Sequence, residues 1–163
     1  MNRNALALRL FPLSFIFLFS CSNPQSSKTS PVTSTEKWAI IEPGTQNTAT
    51  LLLSKHQDNT VTADGEWIYY FYGYKITCTY MSGSAQVTDS TITVSARGTG
   101  AYPADSTGTS DKSAFLLNMY GKYSSQSMSG TWNITFDDTT WNGWVDSGSF
   151  TGTLDSGGNV TKH

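Results

Sequence analysis

Residues 37–163 are predicted to form an all-β domain, an antiparallel meander that closes into an up-and-down β-barrel of about eight strands or forms a curved sandwich. Three observations support this prediction. Apolar residues recur with a period of two, Gly, Asp, Asn and Ser separate the apolar segments, and no window of helical length places apolar residues at i, i+3, i+4 and i+7. The short glycine-containing connections permit antiparallel neighbours.

The strands are predicted from segments rich in β-branched, aromatic and aliphatic residues. In chain order they are KWAII (37–41), NTATLLLS (47–54), TVTADGE (60–66, a turn and a strand), WIYYFYG (67–73), YKITCTYM (74–81), TITVSAR (91–97), FLLNMYGKY (115–123), MSGTWNITF (128–136) and GSFTGTL (148–154). Strand alternation predicts these inward side chains: Ile76, Cys78, Tyr80, Ile92, Val94, Ala96, Phe115, Leu117, Met119, Met128, Trp132, Ile134, Phe136, Phe150 and Leu154. Residues 98–113, "GTGAYPADSTGTSDKS", are predicted as a long structureless loop.

Residues 1–20 have the composition of a secretory signal peptide. Arg3 and Arg9 precede an apolar stretch from Leu10 to Phe19, which is shorter than the roughly 20 residues that a membrane-spanning helix needs. Ser20 supplies the small residue that precedes the cleavage point of such leaders.

The stretch Leu18-Phe19-Ser20-Cys21 resembles the lipobox of bacterial lipoproteins. The resemblance implies a thioether-linked diacylglycerol on Cys21, cleavage before it, and a further acyl chain such as palmitate on the new amine. Two or three acyl chains anchor a protein to a membrane durably. Ser22 follows the cysteine where Asp would favour the inner membrane of Gram-negative bacteria, so the resemblance implies the outer membrane. The alternative is an ordinary leader whose first mature residue is a cysteine.

Residues 21–36 are predicted as the lipidated cysteine and a disordered Ser/Thr/Pro linker, because Val32 is the only aliphatic residue between Ser22 and Glu36. The whole chain has a formal charge of −2, and residues 1–20 contain Arg3 and Arg9 but no acid, so the remainder is more acidic still. An acidic chain without a basic patch is a poor partner for nucleic acid.

Side chains that could carry catalysis are scarce in this sequence. His56 and His163 are the only histidines, and Gly-x-Ser-x-Gly is absent. Asp137 and Asp138 are adjacent, which on an extended chain points their carboxylates to opposite faces. With Cys21 acylated, Cys78 has no disulfide partner, and its alternation with apolar residues predicts an inert, inward thiol. We therefore predict no enzyme activity, no catalytic residue, no metal site and no cofactor.

The most distinctive local feature is "TTWNGWVD", residues 139–146. Asn142-Gly143 is a strong signal for a two-residue type I′ hairpin, which would set Trp141 and Trp144 across from each other. The two indoles are candidate ligand contacts that could stack on a sugar ring. The alternative is that they cap one end of the barrel. The predicted strand 67–73 carries aromatic residues on both faces, namely Tyr69, Tyr70, Phe71 and Tyr72. The outer face of this strand is therefore expected either to be covered by other parts of the chain or to form an adhesive surface patch.

The segments "GEW" (65–67) and "GTW" (130–132) resemble the Gly-x-Trp opening of lipocalins and avidins. That resemblance implies a barrel that holds one small ligand. It does not assign a ligand-binding role to any residue of this chain.

Two functions follow as hypotheses. The first is a non-catalytic lipoprotein of the cell envelope, anchored in the membrane through Cys21, with a structural or interaction role. The alternative is a lipoprotein that binds a small molecule or carbohydrate. The partners expected are the membrane together with a small ligand, a glycan or an envelope protein.

Overall fold

The computed structural model of the chain describes residues 30–71, 73–101, 112–137 and 144–156, without the side chains of Phe71 and Tyr80. Eight strands lie in these ranges: β1 Val32–Ile41, β2 Thr48–His56, β3 Val61–Phe71, β4 Tyr74–Val87, β5 Thr91–Ala101, β6 Lys112–Tyr123, β7 Ser127–Phe136 and β8 Val145–Leu154. Each strand pairs antiparallel with the next, and β8 pairs with β1. The all-β meander is confirmed, as a closed up-and-down barrel rather than a curved sandwich.

The β1–β8 ladder closes the barrel through a short seam. It runs from the pair Trp38↔Leu154 to the pair Ile41↔Thr151, whereas β1 and β2 pair along nearly their whole length. Closure gives each of the eight described strands a paired neighbour on both sides, although β1 and β8 pair with each other over only four residues.

The barrel interior is filled with side chains, as is usual for eight strands. Strand alternation correctly predicts most of this core, because inward and outward positions on a strand differ by one residue. Of the predicted inward residues whose side chains are described, all are buried except Leu154, which packs partly buried against the core.

A β-bulge in β4 shifts the alternation. Gly65 pairs with Met81 and Trp67 pairs with Cys78, so three steps along β4 face two steps along β3. The extra residue turns Met81 into the core, where it is 2% exposed, although strict alternation would place it outside. The side chain of Tyr80, predicted to face inward, lies outside the described residues.

The predicted boundary between linker and domain at residues 36 and 37 is wrong, because β1 begins at Val32. The neighbouring strand supplies the reason. Thr33 Oγ1 donates a hydrogen bond to the Lys55 carbonyl at 3.0 Å, and His56 Nδ1 donates to the Ser30 carbonyl at 2.6 Å. Backbone and hydroxyl hydrogen bonds therefore order a segment whose composition offers almost nothing to bury.

The predicted loop 98–113 is wrong at both ends, because β5 continues to Ala101 and β6 begins at Lys112. The glycines that suggest a loop make room for core rings. A Cβ added at Gly98 would lie 2.6 Å from Cζ of Phe115, and one at Gly100 would lie 2.9 Å from Cε1 of Phe136. Residues 102–111 lie outside the described residues.

Cys78 is a free, fully buried cysteine, in agreement with its predicted inward position. Burial raises the pKa of its thiol from 9.0 to about 12, so at pH 8 almost no thiolate is present. We expect a thiol reagent such as 5,5′-dithiobis(2-nitrobenzoate) to leave Cys78 unmodified in the folded protein and to modify it in denaturant. Rapid modification of Cys78 without denaturant would contradict the burial of its thiol.

Candidate functional site

The barrel has two ends of different character. We call the end at which β1 begins the proximal end. Because strands alternate in direction, it also carries the β2–β3, β4–β5 and β6–β7 turns and the end of β8. The opposite, distal end is the one at which β1, β3, β5 and β7 end.

The proximal end opens into a pocket of about 360 Å³, which we call the proximal pocket. This volume lies near the lower limit of the roughly 300–1,000 Å³ that is common for small-molecule sites. Strands β1, β2, β3, β4 and β6 and the β2–β3 turn contribute its wall. The lining side chains are Ser34, Glu36, Leu53, Lys55, Asn59, Val61, Val87 and Tyr123.

The half-buried carboxylate of Glu36 is the central polar group of this pocket. Its Oε2 accepts one hydrogen bond from Trp38 Nε1 at 3.1 Å and another from the Tyr123 hydroxyl at 2.8 Å. Glu36 and Trp38 share a face of β1, because they stand two residues apart. Tyr123 comes from β6, which does not neighbour β1, so this hydrogen bond crosses the barrel interior.

The aromatic rings that hold Glu36 also contact each other. The ring centroids of Trp38 and Tyr123 are 5.5 Å apart, with the planes inclined at 54°. Burial raises the pKa of the Tyr123 phenol, and its hydrogen bond to Glu36 and the nearby negative charge raise it further. Tyr123 therefore stays a neutral hydrogen-bond donor at physiological pH.

Glu36 has no cationic partner within 4.0 Å in the described part of the chain. The ion pairs there are Lys37 with Asp155 at 3.1 Å and Arg97 with Asp137 at 3.3 Å. Lys55 also lines the pocket and is exposed. The Glu36 carboxylate is therefore stabilised by hydrogen bonds from the Trp38 N–H and the Tyr123 O–H rather than by a salt bridge.

Both tryptophans of the Gly-x-Trp segments lie inside the barrel. The ring centroids of Trp67 and Trp132 are 5.0 Å apart, and Tyr69 meets Trp132 edge-on at 6.0 Å. Neither indole N–H has a hydrogen-bond partner among the described residues. Tyr69 donates its hydroxyl hydrogen to the carboxylate of Asp146.

Of the two predicted ligand contacts, the structure describes only Trp144. Its ring is half-buried, stacks on Phe136 at 5.5 Å and 14°, and lies 5.8 Å from Tyr69. Its carbonyl accepts a hydrogen bond from the Phe136 amide at 2.9 Å. Trp141, Asn142 and Gly143 lie outside the described residues, as does Cys21, so the predicted hairpin and lipidation stay predictions.

The groups considered for catalysis have structural partners where they are described. Both ring nitrogens of His56 are engaged, Nδ1 with the Ser30 carbonyl and Nε2 with Thr62 Oγ1 at 3.1 Å. Asp137 pairs with Arg97, and Asp138 and His163 lie outside the described residues. Across the described ranges, no three or more His, Cys, Asp or Glu side chains group so as to hold a metal ion.

The proximal pocket is the site that the sequence did not predict. The sequence pattern predicts β1 from residue 37, so Glu36 is assigned to the linker. No pattern in the sequence indicates that Glu36 contacts Tyr123, which lies 87 residues later in the chain. A signal was present in the alternation of Glu36, Trp38 and Ile40, which continues the inward face of β1 toward the proximal end.

Comparisons with protein-family models, with curated proteins and with solved structures return no match for this chain. No helix in the described ranges is long and apolar enough to cross a membrane.

Proposed function

We propose that this chain is a lipid-anchored protein of the bacterial cell envelope, with a non-catalytic β-barrel in a structural or interaction role. The observation that carries the proposal is the coincidence of a basic start, a short apolar core and Leu18-Phe19-Ser20-Cys21 in one register. Acylation of Cys21 would supply the anchor, and Ser22 favours the outer membrane in a Gram-negative cell.

The attachment of the chain to the proximal end supports this arrangement. His56 holds the Ser30 carbonyl, and the Gln57 amide donates to the Pro31 carbonyl at 3.0 Å. Residues 22–29 alone separate this attachment from Cys21, and at most about 3.6 Å per residue they span roughly 30 Å. A lipid on Cys21 would therefore keep the proximal end close to the membrane surface.

The replacement Cys21→Ala tests the anchor. We expect it to abolish labelling of the protein by radioactive palmitate and to leave an uncleaved precursor, because the thioether acceptor is gone. The matched control is Cys78→Ala, which removes the other cysteine and should keep full labelling. Undiminished labelling of the Cys21→Ala protein would remove the anchor from this proposal.

A second candidate function is the binding of a small molecule, and the proximal pocket favours it. The pocket combines apolar walls with a few polar groups, which is the usual composition of a small-molecule site. The pocket therefore takes precedence over the tryptophan pair as the candidate binding site. The two functions are compatible, because an anchored barrel can also be a receptor.

A further inference from the structure

We propose that the proximal pocket binds a small organic ammonium ion, with the Glu36 carboxylate as its counter-charge. The inference rests on the second candidate function, small-molecule binding, and names the ligand class. It is independent of the lipid anchor.

The first step is the Glu36 carboxylate, which lines the pocket without an ion-pair partner within 4.0 Å among the described residues. Both hydrogen bonds to Glu36 reach Oε2, and Oε1 has no hydrogen-bond partner among the described residues. A half-buried carboxylate with a free oxygen and no cation within 4.0 Å is well suited to accept an N⁺–H donor. The two donors on Oε2 hold the carboxylate in place before a ligand arrives, so binding needs little reorganisation.

The second step is the chemistry of the walls. Leu53, Val61 and Val87 give the pocket apolar sides, which suit the hydrocarbon part of an amine. The Tyr123 ring lines the same pocket, and a phenol face attracts a cation that lies within about 6 Å of it. A ligand with one ammonium group and a short alkyl body satisfies both kinds of surface.

The third step limits the ligand. A volume of about 360 Å³ holds a small molecule and excludes a folded peptide. The exposed Lys55 ammonium lines the same pocket, and its charge would repel a second positive group on the ligand. The pocket therefore favours monoamines over polyamines.

The test is a calorimetric titration of the full-length protein, in a non-ionic detergent, with n-butylammonium chloride. We expect saturable binding of n-butylammonium and none of 1-butanol or n-butyrate at the same concentrations. This comparison separates charge from apolar contact on the unaltered protein. The proposal would be overturned if 1-butanol bound as tightly as n-butylammonium, or if n-butylammonium showed no saturable binding. Tighter binding of n-butyrate would also overturn it, because that result would indicate an anion site at Lys55.

The variant Glu36→Gln provides the second arm. The amide keeps an oxygen for Trp38 and Tyr123 but loses the charge, so we expect butylammonium binding to weaken by roughly tenfold or more. The matched control is Glu66→Gln, which removes an exposed carboxylate from β3 and should leave binding unchanged. Equal weakening by both substitutions would refute a specific role for Glu36. Because the chain used here need not be lipidated, failure of this test leaves the Cys21 result unaffected.

Discussion

Replacement of Gly130 by alanine is expected to destabilise the barrel by about 2–3 kcal/mol, as overpacking does in well-packed structures. Gly130 of β7 pairs with Gly121 of β6. A Cβ added at Gly130 would lie 2.5 Å from Cα of Gly121 and 2.9 Å from the carbonyl carbon of Tyr120. These are backbone atoms, so relief requires the two strands to move apart and lose ladder hydrogen bonds.

The expected loss of stability in Gly130→Ala is informative because Gly→Ala substitutions in strands ordinarily raise stability. In an unstrained strand, Gly→Ala would stabilise by about 0.5–1 kcal/mol, since glycine loses more backbone freedom on folding. The measurement is urea unfolding of Gly130→Ala beside Ser129→Ala, an exposed neighbour that should change stability by no more than about 0.5 kcal/mol. A Gly130→Ala protein as stable as the wild type would contradict the close approach of β6 and β7.

The substitution Trp132→Ala is expected to lower the free energy of unfolding by about 3–5 kcal/mol, the range found for large aromatic residues in cores. Trp132 is 2% exposed and packs against Trp67 and Tyr69 inside the barrel. The loss of its ring would leave a cavity among side chains that are themselves held by the strands.

A comparison of two Trp→Phe variants separates packing from hydrogen bonding. Both substitutions remove ring volume. Trp38→Phe also removes the N–H that donates a hydrogen bond to Glu36, whereas Trp132→Phe removes an N–H without a partner among the described residues. An unpaired buried donor costs about 1–3 kcal/mol, so its removal offsets part of the lost packing. We expect Trp38→Phe to be the more destabilising of the two in urea unfolding. The reverse order would argue that the Trp132 indole N–H is satisfied.

The inward residues of β5, β6 and β7 were predictable from the sequence. Val94, Leu117 and Ile134 face the core wherever their strands pair, because alternation is a property of each strand by itself. The antiparallel order was predictable as well, since short connections leave a strand little choice of neighbour. Local chemistry therefore determined the fold class, the strand order and most of the core.

Tertiary structure alone decided where strands end and where the pocket lies. β1 begins at Val32 because this segment pairs with β2, to which Thr33 donates a hydrogen bond. Gly100 lies in β5, paired with β4 and β6, and the absence of a side chain there leaves room for the Phe136 ring. Glu36 and Tyr123 meet across the barrel interior only because closure brings β1 and β6 to opposite walls. Such contacts join residues far apart in the chain, and no local pattern of apolar and polar residues encodes the distance between two walls of a closed sheet.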